Sequence, residues 1–244
     1  MESAPTPPGD LIESLTAYLR LDDDLPSIQR RLARDPRCRD GILAYPGMRI
    51  MRQEPWETLA GFILSSTSNI PRIARTMELI AECFGERLTL DGASRRTFPR
   101  PEVLAEAGEA RLRELGCGFR APYLAAAARA VADGTLPLVR LRGAPYQVAH
   151  DALVTLRGVG DKIADCVMLF SLDRPEAFPV DRWVLRVLVD WYDLDPKIDY
   201  AAARQWAWNR FGQHAGYANQ YLFWRKREAG RNSSANASIS SKRR

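Results

Sequence analysis

The stretch that decides the fold is Leu153-Val-Thr-Leu156-Arg-Gly158-Val-Gly160-Asp-Lys162-Ile-Ala164-Asp-Cys166. It predicts the end of one helix, a turn with two glycines and the start of a second helix. Gly158 and Gly160 allow positive φ angles and a close approach of the backbone. The N–H groups of such a turn and of the next helix start can hold a phosphate. The stretch is therefore either a clamp for a nucleic-acid backbone or a simple packing joint between two helices.

Two side chains in and after this helical hairpin could carry chemistry. Lys162 opens the second helix, where the positive end of the helix dipole favours the neutral amine that attacks a sugar carbon. Asp181 follows in Phe178-Pro-Val-Asp181-Arg-Trp183, ahead of a helical run, and is predicted to cap that helix. A capping carboxylate can also face a cleft and stabilise positive charge on a sugar. A solvated lysine and a purely capping aspartate are the structural alternatives.

The composition is that of a globular protein with a weakly basic balance. Of the 244 residues, 46% are hydrophobic, and Lys and Arg outnumber Asp and Glu by 35 to 30. The sequence pI is about 9.2, which favours an anionic partner such as nucleic acid. Because no apolar run approaches the length of a membrane span, and residues 1–10 lack the apolar core of a secretory signal, no membrane association is expected.

The cysteines indicate neither a metal cluster nor a disulfide framework. Cys38, Cys83, Cys117 and Cys166 are widely and irregularly spaced, without a Cys-x-x-Cys pair, so no zinc or iron–sulfur site is expected. A reducing, intracellular compartment is therefore predicted. That would be the cytoplasm or nucleoid of a bacterium, or the nucleus of a eukaryotic cell.

Apolar residues recur at helical spacing over most of the chain, and this periodicity predicts a mainly α fold. We divide the chain into an N-terminal arm and remnant (1–52), a helical core (53–229) that contains the hairpin (147–172), and a disordered basic tail (230–244). The N-terminal remnant is compatible with some β structure. Helices are predicted from Trp56 and over residues 70–84, 101–107, 109–115, 121–132, 145–155, 161–172, 181–192, 201–211 and 218–227.

Residues 156–166 followed by Pro179-Val-Asp181 resemble the helix-hairpin-helix/Gly-Pro-Asp superfamily of base-excision glycosylases. Within it, the chain is most similar to the 8-oxoguanine DNA glycosylase family. Four more segments resemble that family in order: the start of its central helical domain (48–57), its strand-separating loop (65–73), its wedge loop (115–123) and its base-pocket helix (215–223). The resemblance covers residues 18–227 and implies a helix-hairpin-helix glycosylase fold, with two helical subdomains flanking a cleft.

The resemblance implies a bifunctional DNA glycosylase and abasic-site (AP) lyase acting in base-excision repair on 8-oxoguanine in duplex DNA. Lys162 would attack C1′ and form a Schiff base, Asp181 would stabilise the positive sugar, and β-elimination would cleave the abasic site. A monomer is implied, with no required cofactor and no iron–sulfur cluster, although the hairpin carbonyls could hold a monovalent or calcium ion. The other implied residues are Cys166, Phe223 and Asn219 for the base, and Thr67, Asn69, Arg72, Phe119, Arg120, Gly158 and Gly160 for the DNA.

The chain departs from the family pattern at several positions. Arg157 stands in the hairpin where Pro is usual, Phe119 replaces the commoner Tyr, and Trp183 occupies the place of a His. The loop at 67–69 is not asparagine-rich, which affects the expected strictness toward the opposite base. About 50 residues precede the helical core, too few for the family's β-rich domain that reads the oxidised guanine. Discrimination against guanine is therefore expected to be weaker or to use other atoms.

Other functions are compatible with parts of the pattern. A helix-hairpin-helix glycosylase of other or broader base specificity would keep Lys162 and Asp181. A non-catalytic DNA-binding module would need only the hairpin and neither of these side chains. An iron–sulfur relative is disfavoured because there is no four-cysteine cluster, and a monofunctional alkylbase glycosylase because such enzymes lack the hairpin lysine.

Overall fold

The computed structural model describes residues 8–90 and 92–241. The chain divides into two compact units, which we describe separately. The hairpin unit comprises Met1–Tyr18 and Arg52–Asp173, and the C-terminal unit comprises Leu19–Met51 and Arg174–Arg244.

Helices make up most of the described chain. In order, the elements are α1 (Pro8–Tyr18), α2 (Leu25–Leu32), α3 (Pro36–Ala44), α4 (Pro55–Ser65), α5 (Ile70–Phe84), β1 (Arg87–Leu90), β2 (Ala93–Arg96), α6 (Pro101–Leu112), α7 (Ala121–Ala132), α8 (Tyr146–Val154), α9 (Asp161–Ser171), α10 (Arg182–Tyr192), α11 (Tyr200–Phe211) and α12 (Ala215–Ser241). The prediction of a mainly α fold is confirmed.

The core of the hairpin unit forms where α4 packs against α7 and α9. Along α4, Leu59, Ala60 and Ile63 are fully buried, as the apolar stripe starting at Trp56 predicts. Trp56 anchors the start of this helix, because its indole Nε1–H donates a hydrogen bond to the Pro99 carbonyl at 3.0 Å. The central position of α9 in this core gives the residues at its start a rigid support.

The C-terminal unit is built around α12, which packs against α3, α10 and α11. Tyr217 and Tyr221 are fully buried on α12. Their hydroxyls remain hydrogen-bonded, since Tyr217 donates to Asp23 Oδ2 at 2.7 Å and Tyr221 accepts from Gln29 Nε2 at 2.9 Å. These bonds fix α12 and therefore the residues predicted to face a damaged base.

Three features differ from the sequence-based expectations. The described part of the N-terminal arm and remnant, residues 8–52, consists of helices and loops without a strand. The antiparallel strands β1 and β2 lie instead inside the predicted helical core, at Arg87–Leu90 and Ala93–Arg96. Helix α12 continues to Ser241, although composition predicts a disordered tail from residue 230. The last residues of that tail, 242–244, and residues 1–7 of the predicted arm lie outside the described residues.

None of the helices that the structure describes combines the length and apolar character needed to cross a membrane.

Candidate active site

The two-glycine hairpin forms between α8 and α9, as predicted. Its turn is held by backbone hydrogen bonds from Leu156 N–H to the Leu153 carbonyl at 3.2 Å and from Val159 N–H to the Leu156 carbonyl at 3.0 Å. Gly160 is the N-cap of α9, and no side chain of the described residues caps it. The first N–H groups of α9 therefore lie at a positive helix end that is suited to a phosphate oxygen.

Gly158 has a backbone conformation that excludes a side chain. Its φ angle is +89°, and a Cβ atom here would lie 2.6 Å from ring carbons of Tyr123 on α7. Gly160 has a φ angle of −103°, so only Gly158 uses the positive φ that glycine allows. The sequence does not predict the contact between Tyr123 and Gly158, because this contact depends on how α7 packs against the turn.

Lys162 lies in the first turn of α9 and is half-buried. Its Nζ is 5.2 Å from the centroid of the Phe62 ring, and Phe62 stacks on Phe170 with a centroid separation of 5.7 Å. Cys166 lies one turn further along α9 and is 4% exposed. The Lys162 amine thus lies over the Phe62 ring, and this contact restricts the orientation of the lysine side chain. The sequence does not single out Phe62 as a functional residue, because it belongs to the apolar stripe of α4, where core packing is the ordinary interpretation.

Asp181 caps α10, and the predicted capping role is confirmed. Its Oδ1 accepts the backbone N–H groups of Trp183 and Val184, both at 2.8 Å. The side chain is half-buried. Within the part of the chain that the structure describes, Oδ2 has no hydrogen-bond partner. One carboxylate oxygen therefore fixes the side chain and the other is free for chemistry.

Two predicted base-pocket residues of α12 have different surroundings. Asn219 is 2% exposed; its Nδ2 donates to the Pro179 carbonyl at 2.8 Å, and its Oδ1 accepts from Gln220 Nε2 at 3.0 Å. Phe223 is only half-buried, with its ring 5.6 Å from that of Trp224. The bonds of Asn219 favour holding the Pro179–Asp181 segment in place, whereas the partly open ring of Phe223 is suited to stacking.

Arg120 joins the two predicted DNA-contacting loops of the hairpin unit. It is 3% exposed, and its guanidinium donates to the Ser66 carbonyl through Nε and Nη2 and to the Thr67 carbonyl through Nη2 at 2.8 Å. The same guanidinium lies 4.3 Å from the centroid of the Phe119 ring, which is 51% exposed. Arg120 thus holds the residue 66–69 loop beside an exposed aromatic side chain.

The remaining residues of this group surround the start of α5. Asn69 caps the helix, since its Oδ1 accepts the N–H of Arg72 at 3.0 Å, and Thr67 takes a positive φ of 49°. Thr67, Asn69 and Arg72 are all exposed. The pKa of Arg120 is lowered by its burial and then by the nearby positive charge of Arg72. The structure therefore brings two positive charges together at this loop, which favours an anionic or polar partner.

Two family models match the chain. The HhH-GPD superfamily base excision DNA repair protein model matches residues 60–213. The N-terminal domain model of 8-oxoguanine DNA glycosylase matches residues 2–59.

Solved structures and a curated protein resemble the chain along most of its length. The structure of MBOgg1 in complex with a low-affinity DNA ligand is 35% identical with a TM-score of 0.87, and the match covers 92% of this chain and 78% of that one. The Clostridium acetobutylicum 8-oxoguanine glycosylase/lyase, bound to double-stranded DNA with cytosine opposite 8-oxoG, is 33% identical with a TM-score of 0.87, and the match covers 92% of this chain and 77% of that one. The N-glycosylase/DNA lyase OGG1 of Arabidopsis thaliana is 33% identical over 78% of this chain, which spans only 55% of that protein.

Proposed function

Because this chain belongs to the HhH-GPD superfamily of base excision DNA repair proteins, and within it to the 8-oxoguanine DNA glycosylase family, we propose that it is a bifunctional DNA glycosylase and AP lyase. Its substrate would be duplex DNA that contains 8-oxoguanine. The observation that carries this proposal is the amine of Lys162, half-buried against Phe62 in the first turn of α9. A non-catalytic module that only binds DNA phosphates does not require a half-buried amine at this position.

Lys162 would supply the nucleophile. Its neutral amine attacks C1′, so that a bond forms between Nζ and C1′ while the glycosidic bond breaks and the base leaves with its electron pair. Nζ gives up a proton on bonding to C1′, and the departing base takes up a proton, so the step balances. Ring opening of the sugar gives a Schiff base, loss of a proton from C2′ follows, and the 3′ phosphate leaves in the β-elimination. Hydrolysis of the Schiff base then returns free Lys162.

Asp181 would be the carboxylate of the same reaction. As the glycosidic bond breaks, positive charge develops on the sugar, and a negative side chain that is already oriented stabilises it without further reorganisation. Capping of α10 through Oδ1 supports this role because it fixes the carboxylate, while Oδ2 has no hydrogen-bond partner among the described residues. The same oxygen could accept and return the protons that the elimination moves.

The remaining residues would hold the DNA and the extruded base. Phe223 would stack on the flipped base and Cys166 would line its pocket, whereas Asn219 would act mainly by holding the Pro179–Asp181 segment. For the duplex, the proposal assigns a wedge to Phe119 and phosphate contacts to the hairpin backbone at Gly158 and Gly160. Contacts around the vacated position and its partner base fall to Thr67, Asn69 and Arg72, while Arg120 would hold their loop in place.

Lys162 provides the nucleophile itself, so the proposed reaction requires no cofactor. A monomeric state, an intracellular site of action and an ion bound by the hairpin carbonyls remain predictions of the same proposal. They do not affect the chemistry assigned to Lys162 and Asp181.

Reductive trapping tests the nucleophile directly. Borohydride reduces a Schiff base to a stable cross-link, so the wild-type protein should become attached to a duplex that contains an abasic site or 8-oxoguanine. Lys162→Gln should lose both cross-linking and strand cleavage while it still binds the duplex. Lys197→Gln is the matched control, because Lys197 is exposed in the segment between α10 and α11.

Peptide mapping of the trapped product locates the attached amine. The chain has lysines only at positions 162, 197, 226 and 242, so proteolysis and mass spectrometry can assign the cross-link to one of them. Attachment at Lys162 is expected. Persistent trapping by Lys162→Gln would refute the assignment, and DNA binding by a wild type that neither traps nor cleaves would indicate a non-catalytic module.

The base specificity is tested with duplexes that carry 8-oxoguanine, guanine or an abasic site opposite each of the four bases. Excision of 8-oxoguanine well above guanine supports the proposed substrate. Equal excision of other damaged purines would indicate a glycosylase of broader specificity that uses the same lysine chemistry.

A further inference from the structure

Two polar contacts join α8 to α9 across the helical hairpin. The hydroxyl of Tyr146 donates a hydrogen bond to Asp165 Oδ1. His150 Nε2 lies 2.9 Å from Asp161 Oδ1. Tyr146 and His150 are one turn apart on α8, and Asp161 and Asp165 are one turn apart on α9. Because the helices run in opposite directions, the two contacts form a ladder with two rungs.

The ladder is buried at its centre. Asp165 is fully buried and His150 is 6% exposed, while the rings of Tyr146 and His150 stack with centroids 5.8 Å apart and planes inclined by 18°. His150 also places Nδ1 3.3 Å from Asp151 Oδ1. A buried carboxylate and a buried imidazole need polar partners with defined geometry. The two rungs therefore resist both rotation and sliding of α9 relative to α8.

The ladder lies beside the residues assigned to chemistry. Lys162 and Cys166 each follow a rung residue directly in sequence, so they occupy the adjacent stripe of α9, about 100° around the helix axis. Fixing Asp161 and Asp165 against α8 therefore fixes the direction in which Lys162 and Cys166 leave the helix. The contacts of Asp161 and Asp165 with α8 are important for the first turn of α9, because Gly160 at its N-cap has no side chain that could hold this turn.

On the basis of the proposed lysine chemistry, we propose that Tyr146, His150, Asp161 and Asp165 are positioning residues that hold Lys162 at the angle its attack on C1′ requires. None of the four needs to touch the DNA. A shift of the amine by about 1 Å can lower the rate of a chemical step by about 100-fold. The ladder should therefore affect the rate of chemistry more than the affinity for DNA.

The test compares variants of the His150–Asp161 rung. His150→Leu removes the contact, whereas His150→Gln keeps an N–H donor near the position of Nε2. Asp161→Ala removes the contact from the other side, and Asp161→Asn keeps an acceptor oxygen while removing the charge next to Lys162. Val148→Ala is the matched control on α8, because Val148 is 54% exposed.

Single-turnover excision and the rate of borohydride cross-linking should fall about 10-fold to 100-fold in His150→Leu and Asp161→Ala. The Kd for the damaged duplex should stay within about threefold of the wild-type value, and the conservative variants should recover most of the rate. If His150→Leu fails to fold, Asp161→Ala still tests the rung, since the Asp161 side chain is 51% exposed.

Two results would overturn the positioning role: wild-type rates in both rung-breaking variants, or equal losses of rate, affinity and Tm that the conservative variants do not reverse. The first would leave the lysine chemistry intact, and the second would indicate a general folding role for the hairpin. A wild-type protein that neither excises nor cross-links would refute the proposed function itself and would be recognised before any variant is compared.

Discussion

The Asp181 carboxylate accepts the backbone N–H of Val184 at 2.8 Å through Oδ1. The same oxygen accepts the N–H of Trp183, so a single atom makes both contacts that cap α10. Capping and charge can therefore be separated by substitution, because asparagine keeps an acceptor oxygen of the same shape but has no charge.

We predict that Asp181→Asn retains the stability of the wild type but loses base excision by about 100-fold or more, since removal of a preorganised electrostatic group has effects of about this size. Asp181→Ala should lose the same activity and about 1 kcal/mol of stability in addition, because it also removes the cap. Thermal unfolding and single-turnover excision measure the two effects. Normal excision by Asp181→Asn would contradict the chemical role and leave only the cap.

The two glycines of the helical hairpin provide a matched pair for the second prediction. Gly158→Ala should lower the Tm and weaken binding to an undamaged duplex, because alanine at a φ of +89° is strained by about 1–2 kcal/mol and its Cβ would collide with the Tyr123 ring. Gly160→Ala meets no neighbouring atom within 4 Å at an ordinary φ and should lose less stability. Equal Tm values for the two variants would show that the turn does not depend on the Tyr123 contact.

The third prediction separates two arginines that share one loop. Arg120→Gln should lower the Tm and raise the Kd for a damaged duplex, because loss of the buried guanidinium leaves the Ser66 and Thr67 carbonyls without its hydrogen bonds. Arg72→Gln should raise the Kd and leave the Tm unchanged, since this side chain is exposed. An unchanged Tm in Arg120→Gln would mean that the loop keeps its shape without the arginine.

Local sequence signals predicted most helix boundaries correctly. The range 70–84 for α5 is confirmed, because Asn69 caps its start and the helix ends before Gly85. The predicted break between residues 107 and 109 is also present, at Gly108 with a φ of +72°. Such boundaries depend on neighbouring residues alone, and for this reason they can be predicted without knowledge of the packing.

The described part of the N-terminal remnant is helical rather than β-stranded, and local signals for its helices are present in the sequence. Asp24 and Asp35 cap α2 and α3 with their side chains, and each helix has a proline in its first turn, the ordinary signature of a helix start. The sequence analysis does not predict β1 and β2, because both strands are short and largely polar, although Asp91-Gly92 between them is a dipeptide typical of a hairpin turn.

Features of the candidate site that lie within one segment can be predicted from the sequence, whereas contacts between segments cannot. The hairpin and the Asp181 cap depend on adjacent residues and were identified. The position of Phe62 under Lys162, the contact of Tyr123 with Gly158 and the hydrogen bonds of Arg120 to residues 66 and 67 depend on how helices pack. The pattern of hydrophobic and polar residues in a single segment does not reveal contacts with other segments.

The last prediction concerns the partly open ring of Phe223. If this ring stacks on an extruded base, Phe223→Ala should slow excision of the damaged base by about 5-fold to 150-fold, the equivalent of about 1–3 kcal/mol for one base–aromatic contact. Binding to an abasic duplex should change much less, because that product has no base to stack. Leu43→Ala is the control in the same unit, since Leu43 on α3 is 74% exposed and should leave excision near the wild-type rate. Single-turnover kinetics and fluorescence anisotropy with the two duplexes give the comparison, and equal losses on both duplexes would assign Phe223 to packing within α12 instead.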